Sequence, residues 1–126
     1  MRLGMKEMYF LKLFIEGKKL DVERINEEFS FSGAVHNRTE NGDIWQAGVE
    51  FEDDLNGATE KFIKRIYEHR DFILGLSKCA HISLRLTVYA DEVQINVHLS
   101  PESIEKLKAL SLSLDKSIMN LSEFYK

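Results

Sequence analysis

"MYFLKLFIEG", residues 8–17, is the stretch from which the fold is worked out. Every second residue from Tyr9 to Ile15 is apolar, as is typical of a β-strand with one buried side. Most of the even-numbered residues, whose side chains point to the opposite side of the strand, are apolar as well: Met8, Phe10 and Phe14. A strand that is apolar on both sides is typical of the middle of a covered sheet. The pattern therefore predicts a central strand that is buried on both faces.

A helix and a β-hairpin follow this strand in the sequence. Asp21 can cap a helix that runs to about Phe29. "AVHNRTENGDIW", residues 34–45, contains Asn41-Gly42, a dipeptide that favours a tight type I′ turn between two strands. The strand after the turn alternates apolar and polar residues, which indicates a sheet with one solvated face. Its apolar residues are Trp45, Ala47, Val49 and Phe51.

The second half of the chain predicts a long helix, a further hairpin, a third helix and a last strand. The long helix runs from Leu55 to about Arg70. "ISLRLTVYADEVQINVHL", residues 82–99, is interpreted as two strands joined by a two-residue loop at 91–92. This register pairs the apolar residues with each other: Leu84 with Leu99, Leu86 with Val97, and Val88 with Ile95. Ser100-Pro101 starts the third helix, and residues 112–121 form the last strand.

The element order predicts an α+β fold. We expect a largely antiparallel sheet of about six strands with three helices on one face. The first six elements follow the ferredoxin-like βαββαβ order, and a βαβ segment extends this core. The chain has 126 residues, a single proline and no Ser/Gly-rich linker, so residues 1–126 are expected to form one domain.

Composition disfavours several classes of function. Lys and Arg number 17 against 21 Asp and Glu, and the net charge of −4 disfavours nucleic acid and anionic membrane surfaces as partners. The chain shows neither a signal-peptide pattern nor an apolar run long enough to cross a bilayer. Its single cysteine allows neither an internal disulfide nor a CxxC motif, which fits a cytoplasmic location.

The motifs of common catalytic and cofactor sites are missing from the sequence. There is no GxSxG elbow, no GxGxxG and no GxxxxGK[ST] loop, so no catalytic residue and no cofactor are predicted. His81 and His98 would be far apart on the predicted hairpin, and no metal site is expected. These observations favour a protein that is not an enzyme, although a small enzyme stays open.

The polar face of the 82–99 hairpin is the first candidate for a binding surface. Hydrogen-bonding side chains are predicted to share it: Arg85, Thr87, Tyr89, Asn96 and His98. Such a set, without carboxylates, suits a protein partner or an anionic ligand better than a metal ion. The alternative is an ordinary solvated face, as in any antiparallel sheet with one wet side.

The second candidate surface is formed by His36, Arg38 and Trp45. With a two-residue Asn41-Gly42 loop, Arg38 would lie opposite Trp45 and His36 opposite Ala47, both on the same side of the sheet as the apolar residues. One interpretation is structural, with Arg38 covering the indole ring in a cation–π contact. The other is a ligand-lining role. A bulge at Gly42 would instead turn His36 and Arg38 to the opposite side.

The element order and two segments resemble a bacterial family of small cytoplasmic proteins, the domain of unknown function 4279. The segments are "NGDIWQAGVE", residues 41–50, and "LSPESIEKLKALSLSLDKSI", residues 99–118. The resemblance covers residues 8–121 and implies an α+β fold. It supplies no functional residue.

Together these observations predict a non-enzymatic binding or protein-interaction module. One form is an immunity-type protein that neutralises a basic protein partner, since the chain is acidic. The alternative is a small-ligand-binding domain or small enzyme that uses the polar face of the 82–99 hairpin. A protein partner is expected, whereas nucleic acid and membrane are not. A small-molecule ligand and a homodimer formed through an edge strand stay open.

Overall fold

The strand β1 (Met8–Gly17) lies in the middle of the sheet, as predicted, in the computed structural model of the chain. The structure describes residues 8–90 and 97–120. Within them it has five strands and four helices, where about six strands and three helices were predicted, but the α+β class is confirmed. The elements after β1 are α1 (Val22–Phe29), β2 (Val35–Thr39), β3 (Gly42–Phe51), α2 (Leu55–Tyr67), α3 (Arg70–Leu76), β4 (His81–Ala90), α4 (Pro101–Ala109) and β5 (Leu114–Asn120).

The sheet is mixed, with the strand order β2-β3-β1-β4-β5. The pairs β2·β3, β3·β1 and β1·β4 are antiparallel, whereas β4·β5 is parallel. Helix α1 connects β1 to β2, and β3 lies between these two strands. Helices α2 and α3 connect β3 to β4, and β1 lies between these two strands. The first four strands thus form two interleaved split β-α-β units. The last helix, α4, connects β4 to its parallel neighbour β5.

All four helices contribute to one hydrophobic core against one face of the sheet. Tyr9, Leu11, Leu13 and Ile15 point into this core from β1 and are buried, whereas Met8, Phe10 and Phe14 lie on the other face and are only partly buried. The prediction that β1 is buried on both faces is therefore wrong. Its second apolar side instead packs laterally against side chains of the neighbouring strand, as described below.

The predicted long helix is divided into α2 and α3 at His69. The backbone of His69 leaves the helical conformation, and its Nδ1 lies 2.6 Å from Oε2 of Glu28 on α1. Its ring packs edge-on against Phe29, with the ring centres 5.0 Å apart. These contacts with α1 hold the break in place, and the apolar stripe continues across it to the buried Ile73.

The predicted pairing within residues 82–99 is wrong because both edges of β4 have other partners. Leu86 lies opposite Leu11 of β1 on one side and Lys116 of β5 on the other, so Val97 cannot pair with it. Residues 91–96, including the expected loop at 91–92, lie outside the described residues. Residues 97–100 have no regular secondary structure, although Val97 and Leu99 do pack against the core.

The start of α4 follows the sequence closely. Ser100 is its N-cap and accepts a hydrogen bond from the backbone N–H of Ser103 at 3.2 Å, with Pro101 as the first helical residue. The backbone N–H of Ser100 donates to Oε1 of Glu60 on α2 at 2.5 Å. This hydrogen bond lowers the pKa of Glu60 below its ordinary value. The cap therefore also ties α4 to α2.

Candidate functional site

The helix-free side of the sheet is the first candidate surface, and we call it the open face. The strand registers place on it the side chains of alternate residues from β1 to β4: Met8, Phe10, Lys12, Phe14, Val35, Gln46, Gly48, Glu50, Ser83, Arg85, Thr87 and Tyr89. None of these residues belongs to the hydrophobic core. In the described part of the chain no helix packs over them.

Aromatic rings on the open face are held by their neighbours. Phe10 and Tyr89 meet edge to face, with ring centres 5.4 Å apart and an interplanar angle of 83°. The guanidinium carbon of Arg85 lies 4.5 Å from the centre of the Phe14 ring, within the range of a cation–π contact. Between the two pairs, Nζ of Lys12 donates to Oε1 of Gln46 at 3.4 Å. These contacts fix the side chains before any partner binds.

A notch of about 170 Å³ interrupts the open face at Gly48. Phe10, Lys12 and Val35 are among the residues around it. A Cβ atom at Gly48 would overlap the carbonyl oxygen of Leu11, so the close approach of β1 and β3 requires glycine here. The notch is smaller than the roughly 300–1,000 Å³ of typical small-molecule sites. It suits a single side chain of a partner better than a metabolite.

The open face brings together three of the five residues predicted on the 82–99 hairpin. Arg85 is exposed there, and Thr87 and Tyr89 are partly buried. His98 does not join them: its backbone N–H donates to Oδ1 of Asn56, at the start of α2, at 2.8 Å. Arg85 has Lys12 and Asp115 as its cross-strand neighbours instead. Asn96 lies outside the described residues.

Sequence reasoning missed Phe10, Lys12 and Phe14 as members of this surface. They occupy even-numbered positions of β1, and the apolar residues at these positions led to the prediction of a second buried side. Lys12 in the middle of these positions is the residue that argues for a solvated face, because a charged side chain is almost never fully buried without a partner.

The second candidate surface lies at the β2–β3 hairpin, whose register differs from the predicted one. Thr39 pairs with Gly42, so the two-residue loop is Glu40-Asn41. A type I′ turn needs a positive φ at both central residues. Of Asn41 and Gly42, only Gly42 has a positive φ, 130°. The predicted type I′ turn is therefore wrong. The turn is set by packing: a Cβ at Gly42 would lie 2.5 Å from the carbonyl oxygen of Gly17.

This register places Arg38 opposite Asp43 and His36 opposite Trp45. The predicted pairs Arg38 with Trp45 and His36 with Ala47 are therefore wrong. Both side chains still point to the helix side of the sheet, because the register differs by an even number of residues. The predicted cation–π contact is replaced by a hydrogen bond from Nε of Arg38 to Oδ1 of Asp43 at 2.9 Å.

Asp43 is a buried carboxylate at the centre of a small polar cluster that sequence reasoning did not identify. Its side chain is only 2% exposed. Oδ2 accepts the backbone N–H of Leu20 at 3.0 Å, and Oδ1 lies 3.2 Å from Nε2 of His36 in addition to its bond with Arg38. The hydrogen bond from Leu20, followed by those from Arg38 and His36, lowers the pKa of Asp43 to about 2. Asp43 is therefore a carboxylate that joins the β1–α1 loop to β2.

Trp45 belongs to the core and not to a ligand-lining surface. It is fully buried, and its ring centre lies 5.8 Å from that of Phe29. Its Nε1 donates to Oδ1 of Asn26 on α1 at 2.8 Å, which satisfies the indole N–H. Of the three residues of the second candidate, only His36 and Arg38 reach the surface.

The described residues contain neither a cluster of metal-ligating side chains nor a membrane-spanning helix. Within residues 8–90 and 97–120, no three side chains of the His, Cys, Asp and Glu types are arranged to hold a metal ion. None of the helices described here has the length and hydropathy that a bilayer crossing requires.

Comparison with known proteins found no matching family model, no matching curated protein and no matching solved structure. The resemblance to a bacterial family of unknown function therefore stays a prediction.

Proposed function

We propose that the protein is a non-enzymatic binding module that binds a protein partner through the open face. The observation that carries this proposal is the set of three aromatic side chains, Phe10, Phe14 and Tyr89, that lies outside the core with no helix of the described residues over it. Aromatic residues and arginine are enriched in protein interfaces, where they bury large areas at low entropic cost.

The arrangement of the open face supports a protein as the partner. Val35 is 47% exposed beside the notch at Gly48, so an apolar side chain could bury its own surface against Val35 and Phe10 together. Lys12 borders the notch and Arg85 is its cross-strand neighbour. Both side chains can donate hydrogen bonds to backbone carbonyls of a partner. An apolar centre with polar donors around it is the usual anatomy of a protein interface.

Charge supports a basic partner, which an immunity-type protein would neutralise. The net charge of −4 attracts a positively charged protein over a distance of about one Debye length, roughly 10 Å at moderate salt. This attraction raises the rate of encounter, whereas the contacts of the open face set the lifetime of the complex. A cytoplasmic location is part of the proposal: Cys79 is an exposed free thiol, which fits a reducing compartment.

Affinity capture from native lysate with a matched pair of variants tests the proposal. Val35→Lys places a charge on the open face, and Leu74→Lys makes the same change on α3, where Leu74 is 41% exposed. We expect the wild type and Leu74→Lys to capture the same protein, and Val35→Lys to bind it at least about tenfold more weakly. Equal capture by both variants, or no saturable capture by the wild type, would refute the proposal.

A second candidate function is binding of single-stranded nucleic acid, which the same three aromatic rings favour. Bases stack on aromatic side chains, and Arg85 and Lys12 could contact phosphates. The net charge of −4 and the carboxylate of Glu50 on the same face oppose this function. Fluorescence anisotropy with a labelled single strand distinguishes the two: nucleic-acid binding would weaken steeply as salt rises, and Tyr89→Ser would reduce it.

A further inference from the structure

The Asp43 cluster gathers cations from two separate segments around one groove. The groove, about 540 Å³ in volume, lies between the β1–α1 loop and the β2–β3 hairpin. Lys18 and Lys19 line it from the loop, and Arg38 lines it from β2. It lies at the end of the sheet and shares no residue with the open face, so it is a site separate from the proposed protein-binding surface.

Asp43 holds the two segments together without competing for a ligand. Its two oxygens accept from the backbone of Leu20 on one segment and from Arg38 on the other. Asp43 also lines the groove, but its side chain is 2% exposed and its charge is paired with that of Arg38. The backbone on both sides of the groove is therefore fixed relative to one buried carboxylate.

Arg38 is oriented by this arrangement and remains available. Its bond to Asp43 uses Nε, so the terminal amino groups of the guanidinium can still donate to an anion. The side chain is 76% exposed, so these groups reach solvent. A guanidinium fixed at one nitrogen loses less entropy when it binds an oxyanion than an unrestrained one.

The charges of the groove select the class of ligand. Lys18, Lys19 and Arg38 carry positive charge, and Glu40 at the hairpin tip is the exposed carboxylate among the lining residues. The lining also holds Asp43, which pairs with Arg38, so three cations face two carboxylates and the groove keeps a net positive charge. A net positive charge favours an anion, and the terminal nitrogens of Arg38 suit the oxygens of a phosphate. We propose that this groove binds a phosphate group, held by the terminal nitrogens of Arg38 and by the ammonium groups of Lys18 and Lys19.

A titration of the ¹⁵N-labelled protein with inorganic phosphate, followed by NMR at constant ionic strength, tests this proposal. We expect saturable shifts of the backbone amides in residues 18–20 and 38–43. Lys18→Gln/Lys19→Gln should weaken phosphate binding by about tenfold, whereas the control Lys61→Gln/Lys64→Gln, which removes the same charge from the exposed side of α2, should leave it unchanged. Both double variants change exposed lysines and keep the contacts of Asp43.

Either of two results of the phosphate titration would overturn the proposal: no saturable shift of these amides, or equal weakening by both double variants, which would mean general charge attraction. Titrations with methyl phosphate and with acetate complete the design. Binding of methyl phosphate as tight as that of inorganic phosphate would support a phosphate monoester as the ligand, and a preference for inorganic phosphate would support the free ion. Acetate binding as tight as that of phosphate would overturn the assignment to phosphate.

Discussion

At the scale of single residues, Asp43 shows how one buried carboxylate can position several segments. It accepts hydrogen bonds from Leu20 and Arg38 and contacts His36, so removing its charge affects the β1–α1 loop and the hairpin at once. Hydrogen bonds to an ionised acceptor are stronger than those between neutral groups. Asp43 thus links the fold of the hairpin to the shape of the proposed phosphate groove.

The pKa of Asp43 gives a pH-dependent prediction. Its pKa is about 2 in the folded protein against an ordinary value of 3.8, so the ionised form stabilises the fold. This contribution is complete above the ordinary pKa and is lost as the pH falls from 3.8 to about 2. We therefore expect Asp43→Asn to be less stable than the wild type at neutral pH, and the difference in unfolding midpoint to shrink over that pH window.

Urea denaturation at a series of pH values measures this difference. Glu40→Gln, which neutralises an exposed carboxylate of the same hairpin, serves as the control and should stay close to the wild type throughout. A constant difference between the wild type and Asp43→Asn across the window would contradict the prediction.

At the scale of elements, the β2–β3 hairpin is shaped by its contact with the end of β1. Gly42 has a φ of 130°, and a Cβ there would press on the carbonyl oxygen of Gly17. We expect Gly42→Ala to destabilise the protein by about 1–3 kcal/mol. Gly75→Ala on the exposed side of α3, where a Cβ would meet no atom within 4 Å, should stabilise it by about 0.4–1 kcal/mol. Chemical denaturation checks both, and a similar effect of the two substitutions would refute this explanation.

The elements that could be predicted from sequence are those fixed by local chemistry. The caps Asp21 and Ser100 start α1 and α4 where expected. Alternation correctly placed Trp45 and Ala47 of β3 inside, and Arg85 of β4 outside. These features depend on side-chain period and on hydrogen bonds within a few residues, so the sequence carries them directly.

The features that sequence could not predict depend on distant contacts. Alternation shows which residues of 82–90 share a face, but not that β5, brought back by α4, would take the edge of β4. The break at His69 depends on Glu28, which is 41 residues away. Asn41-Gly42 favours one turn locally, and the packing of Gly42 on Gly17 imposes another. For the candidate site, Arg85, Thr87 and Tyr89 could be grouped in advance, but Phe10 and Phe14 could be added only once β1 was known to lie beside β4.

At the scale of the whole molecule, the four helices of residues 8–90 and 97–120 pack on one side of the sheet, and none of them covers the aromatic side chains of the open face. The proposed binding function depends on this one-sided arrangement, because it requires that Phe10, Phe14 and Tyr89 be accessible to a partner. Neighbouring residues of β4 provide a direct test, since Arg85 is exposed on the open face and Leu86 is fully buried on the other.

Maleimide labelling of single cysteines, introduced in a Cys79→Ser background, measures this accessibility. Arg85→Cys should react rapidly in the folded protein, whereas Leu86→Cys should react only after unfolding in denaturant. Circular dichroism of each variant before labelling controls for its folding. Protection of Arg85→Cys in the free folded protein would mean that the open face is covered. Reaction of Leu86→Cys in place of Arg85→Cys would mean that β4 presents its opposite side to solvent. Either result would contradict the proposed one-sided arrangement.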